Sequence, residues 1–145
     1  MTLPAAPAKK LAVVTCMDAR IDPFELLGLS LGDAHVIRNA GGVVTDDTIR
    51  SLSISQRKLD TEEVVLIQHT DCGLLTFTDE EYAAELEADA GEQPNWRAHT
   101  FVDLERSVRD GVGRVRSSPF VPNTATVRGL VYEVETGRLR EVHTP

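Results

Sequence analysis

The chain has 145 residues, 41% of them apolar and 26% charged, which suffices for one core and fits a single ordinary globular domain. Fifteen basic residues against twenty-three acidic ones leave a formal charge of −8, which repels phosphate backbones and anionic membrane surfaces and argues against a nucleic-acid partner. No stretch approaches the roughly 18 to 20 apolar residues of a membrane span, and the start MTLPAAPAKKLAVV has too short an apolar run for a secretory signal, so a cytoplasmic protein with no membrane partner is expected.

Residues 1–9, with two prolines and three alanines, read as a flexible tail ahead of one domain over 10–145. Residues 11–15 (LAVVT) are β-prone and predict the first strand. Asp22-Pro23-Phe24-Glu25 then supplies a capping side chain, a proline at the first helical position and a glutamate at the third, and Gly28 can close the short helix. Residues 34–38 (AHVIR) predict a second strand ending in the loop Asn39-Ala40-Gly41-Gly42. Behind the acidic start Asp46-Asp47, the near-helical spacing of Ile49, Leu52, Gln56 and Leu59 predicts a crossover helix. Residues 63–68 (EVVLIQ) carry four consecutive apolar residues and predict a strand covered on both faces.

Thr78-Asp79-Glu80-Glu81 is a capping box opening a helix through Ala90, which Gly91 to Pro94 breaks. Phe101, Leu104, Val108, Val112 and Val115 form the apolar stripe of a further helix. Within it, Gly111 and Gly113 each cost about 1 kcal/mol relative to alanine. Residues 126–134 and 138–142 flank a Glu-Thr-Gly turn and predict a hairpin. Strands alternating with helices argue for an α/β domain with a mostly parallel central sheet flanked by helices. Ligands of such sheets bind beyond the carboxyl ends of the strands.

Two clusters of reactive side chains fall at such ends. Cys16-Met17-Asp18-Ala19-Arg20 leaves the first strand; if it stays extended, alternation puts Cys16, Asp18 and Arg20 on one face. His69-Thr70-Asp71-Cys72-Gly73 leaves the third, where a turn can aim imidazole and thiol at one point. The two cysteines, 56 positions apart, remain thiols or thiolates in a reducing compartment. A Cys, Cys, His, Asp set matches zinc and disfavours magnesium or calcium. By spacing alone, two buried free cysteines, a surface histidine and an ordinary salt bridge fit the same residues.

CMDARID, VIRNAGG about twenty residues later and VVLIQHTDCG resemble, in order, the three signatures of β-class carbonic anhydrases, commonly CxDSR, RNAG and HxxCG. The resemblance is close over residues 11–75. It implies that Cys16, His69 and Cys72 bind zinc, and that Asp18 and Arg20 form the catalytic dyad. It also implies that Asp18 becomes a fourth zinc ligand in a closed form, and that the activity is reversible hydration of CO₂ to bicarbonate by zinc-bound hydroxide, a lyase reaction. A homodimer is implied as well, with further pairing into a tetramer left open.

Some features depart from the pattern. Ala19 stands where serine is common, Leu74 replaces a second glycine, no glutamine precedes the first strand, and the amino-terminal arm is short. These resemble the compact branch of the family, whose members include hydrolases of carbonyl sulfide or carbon disulfide. Those substrates are the first alternative for this site, and a non-catalytic zinc protein closed by Asp18 is the second. Asp71 reads as a turn-stabilising carboxylate and Arg38 as structural, while His35, His99 and His143 have no ligand partner at a telling spacing.

Overall fold

Six consecutive buried residues, Leu11–Cys16, form strand β1, and six of the seven residues of β3, Glu63–His69, are buried as well. Strands without a solvent face sit in the middle of a sheet. The computed structural model describes residues 2–145, and its sheet has the order β2-β1-β3-β4-β5, where β2 is Ala34–Asn39, β4 Val127–Glu133 and β5 Arg138–Val142. The first four strands run parallel and β5 returns antiparallel to β4, as the hairpin predicts.

Helices cover both faces. On one, Ala12, Val14, Val64 and Leu66 pack with Ile49 and Leu52 of α2 (Asp46–Leu59) and Val112 and Val115 of α4 (Leu104–Ser117). On the other, Leu11, Val13, Val65, Ile67 and Leu130 meet Leu27 of α1 (Pro23–Leu27) and Leu29. The even and odd residues of each strand divide between these cores, the period-two alternation of a pleated strand buried on both sides.

Local chemistry sets the helix ends. Asp22 accepts from the Phe24 and Glu25 amides, and Gly28 closes α1 in the left-handed conformation at φ 65. Thr45 caps α2, and Thr78 with Glu81 completes the capping box of α3, Asp79–Ala90. Three strands extend one residue beyond the predicted ends, to Cys16, Asn39 and His69, because each terminal residue has a partner in the neighbouring strand. The α4 stripe is corrected at its start: Asp103 caps the helix through the Arg106 amide, leaving Phe101 in the preceding segment, where its amide donates to the Leu74 carbonyl at 3.3 Å.

The two glycines of α4 differ in purpose. A Cβ at Gly111 would stand 3.2 Å from Leu66 Cδ1 and 3.3 Å from Val44 Cγ2, so the missing side chain lets the helix approach β3; Gly113 has nothing within 4 Å. Across the interface, a Cβ at Gly129 of β4 would collide with Val108 Cγ1. At the amino-terminal side, the Ala8 and Lys9 amides donate to the Gly32 and Asp33 carbonyls, each at 2.9 Å. Among the described residues, no helix is long and apolar enough to cross a membrane.

Gly129→Ala is expected to lower the urea midpoint by the equivalent of about 1–3 kcal/mol, an overpacking penalty. Gly113→Ala is expected to raise it by up to about 1 kcal/mol through helix propensity. Equilibrium unfolding of the two variants beside the parent chain checks both signs.

Candidate metal centre

Adjacent parallel strands deliver their carboxyl ends to the same edge. With Thr15 opposite Ile67 in the β1–β3 ladder, Cys16 and His69 leave the sheet side by side, and the Thr15 hydroxyl donates to the Ile67 carbonyl at 2.8 Å. The chain then turns through Thr70 and Asp71, the latter at φ 54, and Cys72 precedes a short 3-10 turn, Gly73–Leu75. Cys16 Sγ, Cys72 Sγ and a His69 ring nitrogen all lie within 4.8 Å of one another, and the three residues are 4%, 2% and 0% exposed.

The imidazole is oriented by its own backbone. His69 Nδ1 lies 2.7 Å from the Thr70 carbonyl oxygen. A carbonyl only accepts, so Nδ1 carries the proton and the lone pair sits on Nε2. Nε2 is the buried side-chain polar atom that lacks a hydrogen-bond partner among the described residues. Leaving such a group unpaired costs about 1–3 kcal/mol. A cation among the two sulfurs and this nitrogen removes that cost, and sulfur with imidazole is the donor chemistry that soft and borderline cations prefer.

Charge in the cluster points the same way. The Cys16 thiol is pulled from its ordinary 9.0 to about 4, first by the Cys72 thiol beside it, against burial and with help from His69. The shared proton stays with Cys72, whose thiol is pushed far up by Cys16 and by burial. Burial acts to lower the His69 imidazole, but the Cys16 sulfur, the Thr70 carbonyl and the charges of Cys16 and Asp18 raise it above 6.5. The site gathers negative charge in a buried place and draws a positive one to Nε2.

Asp18 stands just outside this cluster, its Oδ2 3.7 Å from His69 Nε2. The segment after Cys16 does not stay extended, which corrects the alternation reading of Cys16, Asp18 and Arg20. It turns at residues 18–21, with the Ile21 amide donating to the Asp18 carbonyl at 3.2 Å, because this fold-back lets Arg20 grip Asp18. Arg20 Nε donates to Oδ1 at 3.0 Å, Nη2 to Oδ2 at 2.7 Å and the Arg20 amide to Oδ1 at 2.8 Å. This grip, with the opposing effect of burial smaller, holds the Asp18 carboxyl well below the usual carboxylate range.

Residues beyond the cluster and its ion pair also shape the site. Asp71 takes the other side of Arg20: Nη1 donates to its Oδ2 and Nη2 to its carbonyl, each at 3.0 Å. Arg38 donates to the carbonyls of Cys16 at 2.9 Å and Asp18 at 2.8 Å, so this structural residue braces the CMDAR turn itself. Gly42, at φ 64, lies so close that a Cβ would stand 2.8 Å from the Cys16 nitrogen, and the Gln68 carboxamide holds the neighbouring Gly41 carbonyl at 2.8 Å. The only sequence signal for Asp71 was its place between His69 and Cys72. Nothing in the sequence joined Arg38 to Cys16.

Known proteins resemble this chain in sequence and in fold. Residues 11–139 match the sequence profile of the carbonic anhydrase family. Over 140 residues the chain is 49% identical to β-carbonic anhydrase 1 of Mycobacterium tuberculosis strain H37Rv, covering 97% of this chain and 86% of that protein. The chain belongs to the β-carbonic anhydrase family. The solved carbonic anhydrase of Streptococcus mutans superposes with a TM-score of 0.92 at 46% identity, covering 99% of this chain and 87% of that one. A carbon disulfide hydrolase of Acidianus sp. strain A1-3 is 37% identical over 158 residues, covering 92% of this chain and 77% of that protein.

The Asp18–Arg20 ion pair sets how this cluster responds to pH. A carboxyl held below its ordinary 3.8 contributes stability that is complete above that value and fades as pH falls towards its folded pKa. The Asp18 side-chain carboxyl carbon, followed by NMR on metal-free protein, is therefore expected to show no titration step between pH 4 and 8. Arg20→Gln is expected to move that step upward, towards the ordinary range.

Proposed function

We propose that the protein interconverts CO₂ and bicarbonate as a zinc enzyme, with Cys16, His69 and Cys72 as the three protein ligands. The observation that carries this reading is the buried Cys16–His69–Cys72 cluster set beside an Asp18 whose two oxygens are both gripped by Arg20. Two sulfurs and an imidazole nitrogen fit zinc, and three protein ligands leave a fourth position for solvent. A zinc ion held there supplies Lewis acidity, bringing the pKa of water at that position to about 7.

The chain's own residues do the rest. Arg20 keeps the proton off Asp18, so Oδ2 acts as a hydrogen-bond acceptor facing the cluster. An attacking water or hydroxide that donates to Oδ2 is fixed with a lone pair directed away from Asp18, towards the substrate carbon. Ile21, Leu74 and Phe101, packed with Cys16 and Cys72, give the surroundings an apolar character suited to a linear, uncharged molecule. CO₂ and water give bicarbonate and one proton, which passes to solvent. With Asp18 committed to Arg20, the open arrangement is favoured over one in which Asp18 fills the fourth zinc position.

Residues 10–145 act as the zinc domain. The protein works in the cytoplasm, where Cys16 and Cys72 stay reduced, both being free cysteines here. It works as a homodimer: β2 and β5 are open sheet edges, and Leu31 and Val102 are 78% and 94% exposed. The carbon disulfide hydrolase relative supports a second reading, attack on carbon disulfide or carbonyl sulfide at the same site.

Stopped-flow hydration of CO₂ on metal-quantified protein, with carbonyl sulfide and carbon disulfide assayed in parallel, separates these readings. The expected result is about one zinc per chain and CO₂ hydration that rises with pH and disappears in Cys72→Ala. Bound zinc with turnover of the sulfur substrates alone would move the protein to the second reading. Light scattering after gel filtration is expected to give the mass of two chains, and a monomer mass for active enzyme would remove the dimer.

A further inference from the structure

Thr70 follows His69 and is tied by its backbone and its side chain to the turn between β4 and β5. Its amide donates to the Tyr132 carbonyl at 3.0 Å. Its hydroxyl oxygen accepts the Val134 amide at 3.0 Å and donates to Glu135 Oε2 at 2.9 Å. Its carbonyl then accepts the proton of His69 Nδ1 at 2.7 Å.

The turn is anchored independently of the site. The Thr136 and Gly137 amides donate to the Glu133 carbonyl at 3.3 and 2.8 Å, and the Thr136 hydroxyl to Glu133 Oε1 at 3.0 Å. Arg140 joins Glu133 Oε2 at 3.2 Å to Glu105 of α4 at 2.7 Å. Hydrogen bonds thus tie α4 to the hairpin, the hairpin to Thr70 and the Thr70 carbonyl to the His69 imidazole, with the covalent backbone joining one set to the next.

The next residue explains why the carbonyl needs holding. Asp71 sits at φ 54, a conformation that a non-glycine residue keeps only where its surroundings fix it. Releasing the Thr70 side chain removes two of the bonds fixing this peptide, and the Thr70 carbonyl is then free to swing away from Nδ1.

We propose that Thr70 and Glu135 are positioning residues that hold the Thr70 carbonyl on Nδ1 and so present the His69 Nε2 lone pair to the metal. This rests on the reading of Cys16, His69 and Cys72 as ligands. Hydrogen-bond partners of a metal-bound histidine typically govern 10–100-fold in metal affinity. Here the partner is a backbone carbonyl, and the side chains that place it lie 65 residues apart in the sequence.

The test compares Thr70→Val, Thr70→Ser, Glu135→Ala and Glu135→Gln with the parent chain. Zinc affinity is measured by competition with a chromophoric chelator, and the ligand field by the visible spectrum of the Co²⁺-substituted protein. Thr70→Val is expected to bind zinc roughly 10–100-fold more weakly with a shifted Co²⁺ spectrum. Thr70→Ser and Glu135→Gln keep the hydroxyl-to-oxygen bond and are expected to stay close to the parent, with Glu135→Ala between the extremes. In turnover, Thr70→Val is expected to lower kcat more than it changes KM.

Thr70→Val that is folded by circular dichroism and has parental zinc affinity and Co²⁺ spectrum would overturn the proposal. If Thr70→Val does not fold, the exposed Glu135 decides: Glu135→Ala indistinguishable from the parent in both readouts overturns it equally. A parent chain that takes up no zinc would instead overturn the ligand reading, and this inference with it.

Discussion

Two sulfurs, an imidazole and a carboxylate meet at the carboxyl ends of β1 and β3, where Cys16, His69 and Cys72 are almost wholly buried. Gathering negative charge there is unfavourable unless a positive charge joins it. The surroundings of the site answer that constraint. Arg20 neutralises Asp18 from the solvent side, and the lone pair of His69 Nε2 is left facing the sulfurs. The fold makes the meeting possible because adjacent parallel strands end together, and the site residues need only leave those ends in the right turns.

Those turns are braced by groups that touch no sulfur. Arg38 holds the carbonyls of Cys16 and Asp18, and the Asn39 side chain closes on Val43 through both its nitrogen and its oxygen, at 2.8 and 3.1 Å. Gly42 then passes against the Cys16 backbone where no side chain fits. The RNAGG segment works as a backbone wedge behind the first cysteine. Arg20 lies between two carboxylates, Asp18 and Asp71, from the two loops that carry the cluster. One guanidinium thereby ties the CMDAR turn to the HTDCG turn, and a change in either loop is felt in both.

The periphery is arranged differently. Helix α3 buries none of its residues, although its capping box is complete and the Asp79 carboxylate receives the Thr100 amide and hydroxyl at 2.8 and 2.9 Å. That contact holds the segment carrying Phe101, whose ring packs with Leu74 against the cysteines. Burial acts to raise the Asp79 carboxyl, but the Thr100 and Arg97 hydrogen bonds outweigh it and hold it below its ordinary value. A charged clamp at the surface thus supports an apolar wall at the centre.

Much of this was legible in the residues themselves. Apolar runs bounded by turn formers marked the strands, caps such as Asp22 and Thr78 marked helix starts, and CMDAR, RNAGG and HTDCG marked the loops at the strand ends, because these are local signals of period, capping and turn chemistry. The placement of Phe101 ahead of α4 was not, since an apolar residue three positions before Leu104 keeps the helical spacing although the Asp103 cap starts the helix after it. Nor were the pairing of Asp71 with Arg20, the grip of Arg38 on Cys16, or the link from Glu135 to Thr70. Each joins residues 22 to 65 positions apart, across strands whose neighbours and register only the assembled sheet decides. Sequence by itself determined which chemical groups stand at the ends of the strands; tertiary structure decided which of them meet, because hydrogen bonds and ion pairs act over a few ångströms and only packing brings distant segments that close.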